Sequence, residues 1–223
     1  TPTQFVKDDA IRLLKSKPRK ITVTLESADR ITAPAEAVKE LKSKPFLMYV
    51  GRSLPHKNLE RLIDAFGVLK QTHPGLQLVL VGKRDALMDR HMTYAETKGI
   101  EDVIATGYVS EGQLRWLYEN TACYCFPSLS EGFGLPSLEA MMHGAPVASS
   151  NATCLPEVNG DAAHYFDPLD VNDMTSKIND VLTDEKLRKE LIKKGTEQVK
   201  KYSWKRMAEQ TLEVYKQILD DSK

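Results

Sequence analysis

Phe126-Pro127-Ser128-Leu129-Ser130-Glu131-Gly132-Phe133-Gly134-Leu135-Pro136-Ser137-Leu138-Glu139 is the stretch on which the fold turns. A short apolar run, Ala122–Phe126, leads into it, and a helical run, Ser137–His143, leads out. The two glycines let the backbone approach a ligand closely. Pro136 sits where a first helical position is expected. A helix starting there presents unpaired N–H groups and the positive end of its dipole, which suits an anion such as phosphate. Strand, glycine loop and helix in this order predict one unit of an α/β sheet.

The same alternation extends in both directions. Strands are predicted at Ile21–Leu25, Phe46–Val50, Leu76–Val81, Val103–Ala105, Ala122–Phe126, Pro146–Ser149 and Ala163–Phe166. Most are continuously apolar, as parallel strands covered on both faces are. Helices are predicted at Leu59–Lys70, with Asn58 as its cap, at Ala86–Lys98 and at Glu111–Asn120. Three more close the chain, at Val171–Leu182, Asp184–Lys201 and Ser203–Leu219. Phe5–Leu14 also reads as a helix, Lys15–Arg19 as a basic connector, and Thr32–Lys44 as a polar loop with one short helix. The fold class is α/β, a doubly wound Rossmann-like parallel sheet with helices on both faces and additional C-terminal helices.

Composition excludes several classes. Lys plus Arg and Asp plus Glu each total 31, so no basic excess points to nucleic acid. Three cysteines, Cys123, Cys125 and Cys154, form no CxxC pair and fit buried thiols in a reducing compartment. No run reaches the roughly 20 apolar residues of a membrane span, and no signal-peptide pattern opens the chain. It begins at Thr1, as a processed or shortened chain would. The five histidines show no metal-ligand spacing.

Two segments carry candidate chemistry. In the first, Glu131 sits in the glycine loop and Glu139 about one turn into the helix. A carboxylate accepts paired hydrogen bonds from vicinal hydroxyls, so each could hold a sugar ring or a ribose. On spacing alone the plainer reading is favoured, a solvated loop glutamate and a helix-stabilising one. The second segment is Gly51-Arg52-Ser53-Leu54-Pro55-His56-Lys57-Asn58, after the Phe46–Val50 strand. Arg52 and Lys57 at the carboxyl end of a strand could take a diphosphate, Arg in a fork and Lys as a point charge. The alternative is two surface cations. The loop is neither GxGxxG nor a Walker A sequence. Gly82-Lys83-Arg84 and Gly107-Tyr108-Val109 end neighbouring strands and could face a base. No Asp-x-Asp triplet occurs to hold a divalent cation on a diphosphate.

Taken in order, these segments resemble the carboxyl-terminal, donor-binding domain of retaining GT-B glycosyltransferases of family four (glycosyl transferases group one). The resemblance rests on Gly51-Arg52 with Lys57-Asn58, Gly107-Tyr108-Val109, Glu131 through Glu139 as an E-x7-E motif, Gly144-Ala145-Pro146-Val147, Pro156-Glu157-Val158, Phe166-Asp167-Pro168 and Tyr202-Ser203-Trp204. It displaces the plainer reading of the two glutamates. Ser27-Ala28-Asp29 departs from the glycine-containing turn common in that family.

The resemblance implies catalytic roles for Arg52 and Lys57, which would stabilise the leaving diphosphate, and for Glu131, which would hold hydroxyls of the transferred sugar. It implies donor contacts from Gly51, Phe133, Gly134 and Leu135, the ribose on Glu139 and the base on the Val109 backbone. No metal and no cofactor is expected, with a nucleotide-diphosphate sugar, UDP- or GDP-linked, as substrate. Residues 1–44 would be an interdomain linker region, 45–202 the nucleotide-sugar-binding domain, and 203–223 a helix packing toward an amino-terminal domain. That domain, outside this chain, would bind a glycan or lipid-linked acceptor, so the chain alone is expected to be inactive. The full enzyme would be cytoplasmic, with peripheral attachment to the inner face of the cell membrane. Two other functions share these features: a non-catalytic sugar-nucleotide-binding module and a sugar-nucleotide epimerase of related fold.

Overall fold

The computed structural model describes residues 1–41 and 44–221. Lys42 and Ser43, in the expected polar loop, and Ser222 and Lys223, at the end of the expected closing helix, lie outside the described residues. Six parallel strands form one sheet: β1 (Phe46–Val50), β2 (Gln77–Val81), β3 (Val103–Gly107), β4 (Cys123–Phe126), β5 (Val147–Ser150) and β6 (Ala163–Phe166). Their order is β3-β2-β1-β4-β5-β6. The chain therefore reverses its direction of winding between β1 and β4, and open α/β sheets bind ligands outside the carboxyl ends of strands at such a point.

Each face of the sheet has its own core. On one face, α2 (Leu59–Thr72), α3 (Ala86–Thr97), α7 (Val171–Thr183) and α8 (Glu185–Gln198) cover Leu47, Tyr49, Leu78, Leu80, Cys123 and Cys125. On the other, α4 (Glu111–Asn120), α5 (Leu135–Met142) and α6 (Leu155–Asn159) cover Phe46, Met48, Val79, Tyr124, Phe126 and Val147. Alternate residues of β1 thus point into different cores, which is why the strand reads as unbroken apolar sequence.

The helices differ in what holds them. Within α2, Leu59, Leu62, Ile63, Phe66 and Leu69 are buried at helical spacing. Each contributes roughly 1.5–3 kcal/mol by leaving water, so packing rather than propensity fixes this helix. α9 (Trp204–Asp221) is the opposite case: Tyr215, Ile218 and Leu219 are 59–66% exposed. Among the described residues no helix is long and apolar enough to cross a membrane.

Three expectations are corrected. Ile21–Leu25 is not a strand of the sheet. It is extended, but its partner is the first residue: Thr1 donates its amino group to the Thr22 carbonyl at 2.8 Å, and Thr24 N–H donates to the Thr1 carbonyl at 2.9 Å. One residue cannot propagate a ladder. Asn58 does not cap α2 with its side chain. It stands in the left-handed region at φ 61°, buried, and its amide donates to the carbonyls of Pro127 and Pro168. Pro136 is second in its helix rather than first, because α5 opens at Leu135. The short α1 (Gln4–Leu14) forms as expected, capped by Thr3.

Candidate functional site

Two loops meet at the switch point. Residues 51–58 leave β1 and residues 127–134 leave β4, and the Leu129 N–H donates to the His56 carbonyl at 2.8 Å, tying one to the other. Asn58 adds its own bond to the Pro127 carbonyl. The sharp exit from β1 needs glycine on both neighbouring strands: a Cβ on Gly82, at φ 157°, would stand 2.1 Å from the Gly51 carbonyl oxygen.

That convergence places Lys57 against Glu131. The ammonium donates to Glu131 Oε1 at 2.5 Å, with the two side chains 17% and 12% exposed. Arg52 is exposed at the same rim and makes no ion pair among the described residues. Its carbonyl accepts a hydrogen bond from Tyr49 Oη at 2.9 Å. Burial pushes the Tyr49 phenol far above its ordinary range, and the charge of Glu131 adds to the effect. Tyr49 is therefore a neutral donor that fixes the Arg52 backbone from below.

The glycine loop is held rigidly from behind. Glu131 N–H donates to Thr153 Oγ1 at 3.1 Å, and Cys154 Sγ donates to the carbonyls of Glu131 and Phe133. Burial pushes the Cys154 thiol up to about 12, so it is no thiolate nucleophile near neutral pH. Thr3 Oγ1 donates to the Gly132 carbonyl at 3.0 Å, and the first N–H groups of α1 donate to the Glu157 carboxylate. Phe133 is buried, with its ring edge-on to Tyr202, so only its backbone faces the loop. Gly134 enters α5 at φ 114°; a Cβ there would meet Leu155 at 2.9 Å and Phe126 at 3.2 Å. Among the described residues the N–H groups of Gly134 and Leu135 make no hydrogen bond, which leaves them at the positive end of α5.

Glu139 lies apart from this cluster. It is half-buried on α5, and Tyr118 of α4 donates its hydroxyl to Oε2 at 3.0 Å. Burial raises its pKa, partly offset by that bond. Val109, just past β3, is two strand spacings from β1, roughly 10 Å at the usual separation. Of the expected residues the structure brings Lys57 and Glu131 into contact, with Arg52 on the same loop as Lys57; Glu139 and Val109 stand on other elements. Among the described residues no group of three or more His, Cys, Asp or Glu is placed to hold a metal ion. A hollow of about 390 Å³ opens between α2 and α3, with Ser53, Pro55 and Asn58 of the same loop in its wall. Its acids are already paired, Tyr94 with Asp64 and Arg90 with Glu60.

Sequence reasoning missed the supporting residues. Tyr49, Tyr118, Thr3, Thr153 and Cys154 sit in unrelated segments and read as core or surface. One signal was available for Tyr118: a tyrosine on the apolar stripe of a helix must find a partner for its hydroxyl.

This sheet order, with two loops meeting at the switch point, defines a Rossmann-like α/β domain. The family profile of glycosyl transferases group 1 matches residues 33–198, and the chain belongs to that family. It is 35% identical to O-antigen chain mannosyltransferase B of Escherichia coli, over 97% of this chain and 59% of that protein. It is 34% identical to serotype-specific mannosyltransferase WbdA of Escherichia coli, over 99% of this chain and 27% of that protein. The chain thus spans less than two thirds of these relatives. Among solved structures, sucrose-phosphate synthase of Thermosynechococcus elongatus superposes with a TM-score of 0.83 at 22% identity, covering 99% of this chain and 58% of that one. Anabaena Alr3699/HepE, in complex with UDP and glucose, does so at 0.81 and 18% identity, covering 97% and 62%. At those identities the likeness speaks for the fold.

Proposed function

We propose that this chain is the donor-binding part of a retaining glycosyltransferase of family four. It acts with the remainder of a longer protein to transfer a hexose, of the mannose or glucose kind, from a UDP- or GDP-linked donor to a glycan or lipid-linked acceptor. One observation carries the reading: Arg52, the Lys57–Glu131 pair and the open end of α5 converge at the switch point of the sheet. The mannosyltransferase names of the relatives favour mannose.

In this reading the diphosphate lies over the N-terminus of α5. Arg52 takes its oxygens in a fork, Lys57 adds a point charge, and the N–H groups of Gly134 and Leu135 complete the cradle. Together they offset the charge that grows on the leaving group. Glu131 accepts hydroxyls of the transferred sugar, and Lys57 holds that carboxylate in place. Glu139 accepts the ribose hydroxyls, and the backbone at Val109 meets the base. The acceptor hydroxyl attacks the anomeric carbon on the face from which the diphosphate leaves. The bond from that carbon to the phosphate oxygen breaks, the new glycosidic bond forms, and the departing phosphate takes the acceptor's proton. No enzyme nucleophile is required. The acceptor is held by the part of the protein beyond this match. A lipid-linked acceptor would place the enzyme in the cytoplasm at the inner face of the membrane.

A thermal-melt panel of UDP, GDP, ADP and their mannose and glucose derivatives tests this. A ligand at 100 times its Kd should stabilise the chain by about 2.7 kcal/mol. UDP or GDP and their sugars should raise Tm; no stabilisation by any of the panel would overturn the reading.

A further inference from the structure

We infer that Tyr118 is a positioning residue for the donor site: its hydroxyl fixes one oxygen of Glu139 so that the other is left for the ribose. This rests on the donor-binding reading above and goes beyond it by assigning a role to a residue on a different helix. The hydroxyl donates to Oε2 at 3.0 Å, its one hydrogen bond among the described residues, and Tyr118 is fully buried. A carboxylate one turn into α5 can swing about its side-chain torsions. A bond from a rigid neighbour removes that freedom before the ligand arrives, which is where preorganisation gains its affinity.

The ring itself is locked from both sides. His143 lies flat against it, at 5.8 Å between centroids and 4° between planes. That imidazole is buried, and its Nε2 accepts the Ile31 N–H at 3.2 Å, so the ring is the Nδ1–H tautomer. Burial holds its pKa below the ordinary value, with the nearby Arg30 charge acting the same way. His143 is thus a neutral plate rather than a cation. Tyr124 of β4 meets Tyr118 on another side at 6.0 Å. Tyr118 therefore cannot turn its hydroxyl elsewhere.

The arrangement also sets a proton balance. The ionisable groups facing the Glu139 carboxylate are the phenols of Tyr118 on α4 and Tyr124 on β4. Burial drives both far above their ordinary range, so neither ionises near neutral pH. Burial raises Glu139, and the bond from Tyr118 opposes this. Without that bond the carboxylate would protonate at higher pH, and protonation turns one oxygen into a donor and removes the charge that strengthens the bonds to the ribose.

The test compares the unaltered chain, Tyr118→Phe, Glu139→Gln and the double variant. Each is titrated by calorimetry with UDP and GDP and with the 2′,3′-dideoxy form of each. For the nucleotide that binds, Tyr118→Phe should lose roughly threefold to tenfold while its affinity for the dideoxy form stays unchanged. The double variant should bind no worse than Glu139→Gln alone. The acid limb of ribonucleotide binding should move to higher pH in Tyr118→Phe; the phosphate titrates alike in both proteins and does not move it. Melting curves confirm that the variant is folded. Equal losses on the ribo and dideoxy forms, additive losses in the double variant, or an unmoved pH limb would overturn the inference with the donor site intact. If the unaltered chain binds neither UDP nor GDP, the donor reading falls, and this inference with it.

Discussion

Glu131 and Glu139 lie eight residues apart on one loop and helix, yet the molecule treats them differently. Glu131 is gripped by a cation, Lys57, from the other side of the switch point. Glu139 is gripped by a neutral phenol, Tyr118, from a helix on one face of the sheet. A cation supplies a charged partner to a carboxylate that has lost most of its water. A phenol aims it and leaves burial to raise its pKa. In the proposed reading the first arrangement holds a carboxylate beside the diphosphate while it meets the sugar hydroxyls. In the same reading the second meets the ribose hydroxyls away from that charge. Local environment, not residue type, separates the two carboxylates.

The largest way to break this comparison is at the cationic end. Arg52→Ala should weaken a nucleoside diphosphate by about 10- to 100-fold, a charge-assisted bond lost, and leave the nucleoside nearly unaffected. Arg52 is the cleaner probe, because removing Lys57 would strand the half-buried Glu131 without its partner. Calorimetry with diphosphate and nucleoside side by side decides it; equal losses would mean that Arg52 does not meet the phosphates.

Glu131→Gln should have a smaller and more selective effect. The intact sugar nucleotide should bind about three- to tenfold more weakly, the range of a neutral hydrogen bond, while the free diphosphate is spared. If the diphosphate suffers as much, Glu131 acts through Lys57 and not on the sugar.

The Glu139 end should respond to pH. Its folded pKa is raised, so its ionised form is lost at higher pH than for a free glutamate. Ribonucleotide affinity should therefore fall on the acid side as pH drops through that raised value. Dideoxynucleotide affinity measured over the same range should lack this limb. The sign for stability is the opposite: a buried carboxyl with a raised pKa makes the fold relatively more stable as it protonates.

The smallest effect expected is none. If Arg52, Lys57 and α5 offset the diphosphate charge, EDTA should leave donor affinity unchanged. A large loss under EDTA would show that a metal completes the site.

How much of this was legible in the sequence depends on the range of the interaction. Phe46–Val50 reads as a covered strand because every residue faces one core or the other. Glu111–Asn120 reads as a helix with the observed bounds because its signals are local: Ser110 and Gln113 form a capping box at its start. Ile21–Leu25 carries the same β-branched signal as a strand but has only Thr1 to pair with, and strand propensity does not provide a partner. The helix Leu155–Asn159 was missed because five residues are too few to show a period.

For the site, the sequence by itself determined the chemical inventory and its order: glycine loop, helix start, two cations in the loop after one predicted strand, and two carboxylates in the loop and helix after another. Those follow from backbone conformation and residue type, which are properties of short segments. Tertiary structure alone decided the pairings. It joined Lys57 to Glu131 across 74 residues of chain, Tyr118 to Glu139 across 21, and turned Asn58 from the expected cap into a clasp on Pro127 and Pro168. The reason is physical. A hydrogen bond acts over about 3 Å, and only the stacking of strands in the order β3-β2-β1-β4-β5-β6 brings those atoms within that distance.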